Sequence, residues 1–211
     1  MTSYLIDVYI EIPSGSNIKY EYDSDYKCVR CDRVLNTALV YPSNYGFVPN
    51  TIAGDGDPLD VLLISDYKLF PNTIIEAKII GVLLTEDEKG EDHKIIAVPS
   101  NKVDPRYNNI NNYDDLDSNK LDKIVHFFKN YKTLDEKRWV KVTDYKDKDY
   151  ALQIYKSSLL EEDSDNNNSD HDNSEQDNSE QNNREHDNDE NSDNNTNDNE
   201  YILNTNYELF L

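Results

Sequence analysis

The stretch TIAGDGDPLDVLLI (51–64) sets Asp55, Asp57 and Asp60 within six positions, spaced by a glycine and a proline and followed at once by an apolar run. Three like charges at the mouth of a strand repel one another, so the stretch is either a solvated turn or a seat for something positive. Asp-Gly and Asp-Pro are turn dipeptides, and taken alone they read as a wet turn. It is not an EF-hand loop: the glycine comes too early, and no glutamate closes a twelve-residue loop. A second acidic turn, TEDEKGEDHK (85–94), shifts the balance by placing Asp87 and Asp92 between two strand-like segments, with Lys94 just beyond. With Glu11 and Glu21 on polar strand faces, the two turns offer enough carboxylate oxygens to one cavity to hold Mg²⁺. That ion keeps several waters and shares its coordination sphere with substrate phosphates.

Basic and phenolic residues accompany these acids. Lys19 falls on the same strand face as Glu21, Arg33 follows Asp32, and Tyr41 and Tyr45 stand in YPSNYGF. Each has a plain structural account: Lys19 as a solvated strand residue, Tyr45 as a core aromatic with a wet hydroxyl, Glu11 as a surface acid. Their conjunction points elsewhere. Carboxylates interspersed with Lys, Arg and Tyr suit a small, highly charged phosphate bridged by metal ions, and would not suit an uncharged ligand.

The elements that must position these groups read as strands first and helices last. YLIDVYIEIP alternates with period two, Ile6, Val8, Ile10 and Ile12 on one face and Asp7, Tyr9 and Glu11 on the other, which predicts a half-buried strand stopped by Pro13. NIKYEYD repeats the pattern, and KCVRCDRVL, LDVLLIS, TIIEAKIIGVLLTED and HKIIAVPS read as further strands, the long one bent at Gly81. In SNKLDKIVHFFKNY, Leu121, Ile124, Val125 and Phe128 form one apolar stripe, with Ser118 as the expected cap. DYALQIYKSSLL is a weaker second helix carrying Ala151, Ile154 and Tyr155. This order implies an α+β domain, mainly β, with helices packed on an antiparallel sheet or barrel.

The bulk charge restricts partners. The chain has 211 residues, 43 acidic against 21 basic, for a net charge of −22. Residues 161–200 alone hold 16 of the acids and one base, Arg184, so the extreme charge belongs to this segment and the first 160 residues are nearly balanced. Neither portion offers the concentrated positive charge that nucleic acid requires. No apolar run reaches the roughly 18 residues of a membrane span, and the N-terminus alternates rather than forming a leader's apolar block. The expected compartment is the cytosol. Cys28 and Cys31 form one CxxC, but no second pair exists and no histidine stands at zinc-ligand spacing, so two reduced cysteines are expected.

Three regions follow: a domain over 1–160, a polar Asn/Asp/Ser/Glu-rich segment over 161–200 that is expected to be disordered, and YILNTNYELFL (201–211), which reads as a tethered short motif or a loose end.

Several motifs in order carry a resemblance. Asp55-Gly56-Asp57-Pro58-Leu59-Asp60-Val61-Leu62 is similar to the characteristic D-G/S-D-P-x-D-V/I-L of the family I soluble inorganic pyrophosphatases. IEIP, IKYE, DRVL, YPSNYGFVPNT, GVLLTEDEKGEDHKIIAVP, HFFKNYK and RWVKV stand around it in family order from about residue 4 to residue 145. The resemblance implies an OB-like five-stranded β-barrel with two flanking α-helices and Mg²⁺-dependent hydrolysis of pyrophosphate to two phosphates. It implies that Asp55, Asp60 and Asp92 bind the first activating Mg²⁺, that Asp87 shares metals carried in with the substrate, and that Glu11 orients metal-bound waters. Asp57 would accept the proton of the attacking water. Lys19, Arg33, Tyr45, Tyr131 and Lys132 would hold phosphate oxygens, with Glu21, Tyr41 and Lys94 in support. The short bacterial-type members often read HFFxHYK; His126 is kept here but Asn130 replaces the second histidine, and a homo-oligomer, preferably a hexamer, is expected. Two other readings compete. An OB-like barrel for single-stranded nucleic acid needs a basic groove that this sequence lacks. An inactive barrel serving as a scaffold for the acidic tail leaves the retention of Asp57 without a reason.

Overall fold

The computed structural model of the chain describes residues 4–160. The expectations for 161–200 and 201–211 lie outside the described residues. Five strands close a ring. Strand β1 (Leu5–Ile12) pairs with β4 (Asn44–Phe47), β4 with β5 (Asp60–Leu63), β5 with β8 (Lys94–Pro99) and β8 with β6 (Thr73–Asp87), and β6 returns to β1. Every pairing in the ring is antiparallel except that of β5 with β8. This is the OB-like barrel expected from the sequence.

Four shorter or peripheral elements complete the sheet structure and the helices flank it. Strands β2 (Ile18–Asp23) and β3 (Cys28–Val34) form a separate two-stranded hairpin. Strands β7 (Gly90–Glu91) and β9 (Val140–Lys146) both pair with the second half of β6. Helix α1 (Ser118–Asn130) buries Ile124, Phe127 and Phe128, and α2 (Lys148–Ser158) buries Ala151 and Leu152.

Two apolar clusters hold the domain. One joins Ile6, Val8, Ile10, Val61, Leu63 and Ile79 to Ala151 and Leu152 of α2. The other joins Ile12, Leu62, Ile64, Ile80 and Ile96 to Phe127 and Phe128 of α1. Successive residues of β5 thus enter different clusters, which is why VLLI (61–64) is an unbroken apolar run: a strand covered on both faces has no side to give to water. Gly46 allows the ring to close tightly, since a Cβ there would lie 1.8 Å from the Tyr9 carbonyl oxygen on β1. Gly81 marks the expected bend. There β6 slips register against β8, and a Cβ would meet the Lys146 carbonyl oxygen at 2.8 Å and Tyr113 Cβ at 2.9 Å.

The structure corrects three expectations. The outer face of β1 is polar and exposed only at its start, because Tyr9 and Glu11 are buried beneath the β2–β3 hairpin. Tyr9 stacks on Phe47 and meets Tyr22 of the hairpin edge-on, at ring separations of 5.1 and 5.2 Å. The α1 cap is Asp117 rather than Ser118: its carboxylate accepts the Asn119 backbone N–H at 2.9 Å. The strands do not all precede the helices, since β9 runs between α1 and α2. Cys28 and Cys31 are free and exposed, as expected.

Candidate active site

Strand register brings the acids of the two turns together. In the parallel pair, Val61 stands opposite Ile95, which puts Asp60 and Lys94 side by side where β5 and β8 begin. Strand β6 runs antiparallel to β8, sets Leu83 opposite Lys94 and continues four residues beyond it to Asp87. Asp92 precedes Lys94 by two residues, and its backbone is fixed to Thr85 of β6, whose carbonyl accepts the Asp92 N–H at 3.0 Å. Strand β4 contributes Tyr45, and the turn after α1 contributes Tyr131 and Lys132.

The centre is a buried ammonium between two carboxylates. Lys94 Nζ donates to both Asp60 and Asp92, and only 3% of its side chain is exposed. Burial disfavours the Lys94 charge, but the two carboxylates more than offset this and hold its proton above the ordinary lysine range. Two carboxylates for one ammonium leave an excess negative charge. Burial and the charge of Asp60 accordingly push the Asp92 carboxyl upward against the pull of Lys94. Tyr45 is buried and donates its hydroxyl to Asp60 Oδ2 at 2.5 Å, and burial together with the charges of Asp60 and Asp92 keeps this phenol protonated. Tyr41 is raised by burial, then by Tyr131 and Asp60, and Tyr131 by burial, then by Asp92 and Asp60.

A second buried pair lies beside it. Lys132 Nζ donates to Asp87 Oδ2 at 2.9 Å and to Glu88 Oε2 at 3.4 Å. Burial works against the Asp87 charge, yet the hydrogen bonds from Lys132 and from the Lys89 backbone prevail and hold its pKa below the usual value. Glu11 is different. Its only hydrogen bond among the described residues comes from the Tyr22 backbone N–H at 2.6 Å, and burial lifts its pKa to about 8. The charges of Asp60, Lys19 and Glu21 all act on Glu11, which places the base of the hairpin over the same neighbourhood.

The remaining predicted residues sit at the margin. On the hairpin, Lys19 pairs with Glu21 and Arg33 with Asp32, while Arg33 Nε is buried without a hydrogen-bond partner among the described residues. Asp55 and Asp57 lie on the exposed turn before β5, where the Asp57 N–H donates to Asp55 Oδ1 at 3.2 Å. Asp57 Oδ2 accepts from Lys89 Nζ at 2.8 Å. Among the described residues, no three His, Cys, Asp or Glu side chains are gathered as a ready-made metal site, so Asp55, Asp60 and Asp92 do not form one set here. Ammonium groups stand among the carboxylates instead. An open cavity of about 500 Å³ between residues 38–42 and α1 shares no lining residue with this site.

Sequence reading missed Glu88 and Lys89. The signal for Lys89 was present, a single base set among Glu86, Asp87, Glu88 and Glu91, but only the acids of that turn were weighed.

The donor set fits a hard divalent cation. Its acceptors Asp57, Asp60, Asp87 and Asp92 are carboxylates, and three ammonium groups already occupy positions where positive charge is stabilised. Comparison with known proteins settles the lineage. The family model described as inorganic pyrophosphatase matches residues 8–162. The chain belongs to the inorganic pyrophosphatase family. The inorganic pyrophosphatase of Saccharolobus solfataricus is 55% identical over 140 residues, covering 66% of this chain and 81% of that protein. That of Campylobacter jejuni is 48% identical over 154 residues, covering 73% and 90%. The solved structure of the Helicobacter pylori inorganic pyrophosphatase superposes with a TM-score of 0.72 at 42% identity, covering 75% of this chain and 96% of that one. As in other pyrophosphatases, the ring of strands forms the body of the fold. Among the described residues, no helix of this one is long and apolar enough to cross a membrane.

Proposed function

We propose that this pyrophosphatase hydrolyses inorganic pyrophosphate to two phosphates with Mg²⁺ as cofactor, and that it works in the cytosol as a homo-oligomer. The observation that carries the reading is the convergence of Asp60, Asp87 and Asp92 with Lys94, Lys132 and Tyr45 where β5 and β8 begin and β6 ends. Asp55, Asp60 and Asp92 would hold the first activating ion, Asp87 would share ions that arrive with the substrate, and Glu11 would orient their waters. When bound, Mg²⁺ supplies charge neutralisation for pyrophosphate and acidifies the attacking water.

The chain's own residues do the rest. Water oxygen attacks one phosphorus, the bridging P–O bond breaks, and its electron pair leaves with the second phosphate. Asp57, exposed at the mouth, takes the water's proton. Arg33, Lys19, Lys132, Tyr131 and Tyr45 bind phosphate oxygens and offset the charge growing on the leaving group. The unpartnered Nε of Arg33 supports this role, since a buried donor without an acceptor is costly and a phosphate oxygen would satisfy it. Glu21, Tyr41 and Lys94 keep the set in place: Tyr41 packs 5.4 Å from the Tyr45 ring, and Lys94 lies over that ring.

Phosphate release from pyrophosphate, measured with Mg²⁺ and again with a chelator, tests the reading. Rapid release that vanishes on chelation is expected. Folded protein that releases no phosphate with Mg²⁺ present would overturn it.

A further inference from the structure

Three lysines neutralise the site's carboxylates, and they differ in one respect. Lys94, between Asp60 and Asp92, and Lys132, against Asp87 and Glu88, have side chains 3% and 9% exposed. Lys89 is 61% exposed. Its backbone N–H donates to Asp87 Oδ1 at 2.8 Å, which ties the turn after β6 to the buried acid. Its Nζ reaches 32 residues back in sequence to Asp57 Oδ2 at 2.8 Å. The ammonium also lies in the field of Asp55 and Asp87, and the Asp57 hydrogen bond leads the effects that raise its proton affinity. Lys89 therefore bridges the two acidic turns across the mouth of the site. It is followed by Gly90 at φ +130°, a conformation that favours glycine, in open space where a Cβ would meet nothing within 4 Å.

We propose that Lys89 is a displaceable internal counter-ion: its ammonium occupies the acidic mouth until a divalent cation enters, and its withdrawal frees Asp57. The inference rests on the function proposed above and adds a residue to it. Lys94 and Lys132 cannot leave without abandoning buried carboxylates, whereas Lys89 can move into water at the cost of one exposed ion pair. The chain thereby gives up part of its cation affinity for a mouth that is neutralised when no cation is present.

Calorimetric titration of Mg²⁺ into the full-length wild type, Lys89→Met and Lys89→Arg, at low and high ionic strength, tests this. Lys89→Met should bind Mg²⁺ about two- to fivefold more tightly at low salt, the size of an exposed ion pair. The gain should shrink at high salt, where exposed charges are screened, and Lys89→Arg should restore wild-type affinity. A lysine that merely braces the turn would give weaker or unchanged binding in Lys89→Met, and that result overturns the inference while leaving the proposed function standing. Wild-type protein that binds no Mg²⁺ would instead overturn the proposed function, and the counter-ion role with it.

Discussion

Glu11 is a carboxylate whose charge burial disfavours. Its pKa rises from 4.5 to about 8, chiefly through desolvation beneath the hairpin, with the Tyr22 N–H only partly offsetting the cost. An acid whose pKa is raised by folding contributes stability that is complete below pH 4.5 and is lost as pH climbs through 8. Each tenfold change in proton affinity is about 1.4 kcal/mol, so the cation-free protein should lose a few kcal/mol over this range. Thermal melts at pH 5 and pH 8 without divalent ions should show a falling midpoint for wild type and a flatter profile for Glu11→Gln. Added Mg²⁺ should recover the loss at pH 8, because cation binding favours the ionised carboxylates. Equal pH slopes in wild type and Glu11→Gln would show that burial of Glu11 is not the cause.

At the level of elements, the parallel contact of β5 with β8 does most to build the site, since it aligns Asp60 with Lys94 and lets Tyr45, Asp92 and the end of β6 close around them. Helix α1 sets Tyr131 and Lys132 from the other side, and its start is fixed by Asp117. Asp117→Ala should cost about 0.5–2 kcal/mol, whereas Ser118→Ala should cost little. Chemical denaturation of the two variants checks this, and the reverse order would restore Ser118 as the cap. The strands that alternate or run long, such as TIIEAKIIGVLLTED, and the apolar stripe of α1 were legible in the sequence. Strand β4 was not, because NYGF is four residues long and interrupted by the glycine that lets it approach β1. The burial of Glu11 was hidden too: period-two reading assigns one wet face, and only tertiary packing of Tyr22 and Phe47 around Tyr9 covers it. The turns that carry the acids were plain from sequence. The counter-ions between them were not, since Asp57 and Lys89 meet only through the fold.

For the molecule as a whole, every residue assigned to the site above lies within residues 4–160, while most of the net negative charge lies beyond them. Deleting residues 161–211 should therefore leave turnover and assembly unchanged, as read by phosphate release and by light scattering, with a hexameric mass expected in both forms. A large loss of either would make the acidic segment part of the working enzyme. His126 is exposed on α1 and its carbonyl accepts from Asn130 Nδ2 at 2.7 Å, so Asn130 is turned back onto its own helix.

On the proposed function, a metal-dependent hydrolysis runs with Asp57 as its base. The most direct test is steady-state phosphate release from pyrophosphate by wild type and Asp57→Asn, with kcat and KM resolved at saturating Mg²⁺. The kcat of the variant should be lower by about 10²–10⁴-fold, the usual contribution of a positioned base, with KM changed far less. A variant that turns over at the wild-type rate would contradict it and take Asp57 out of the proton transfer.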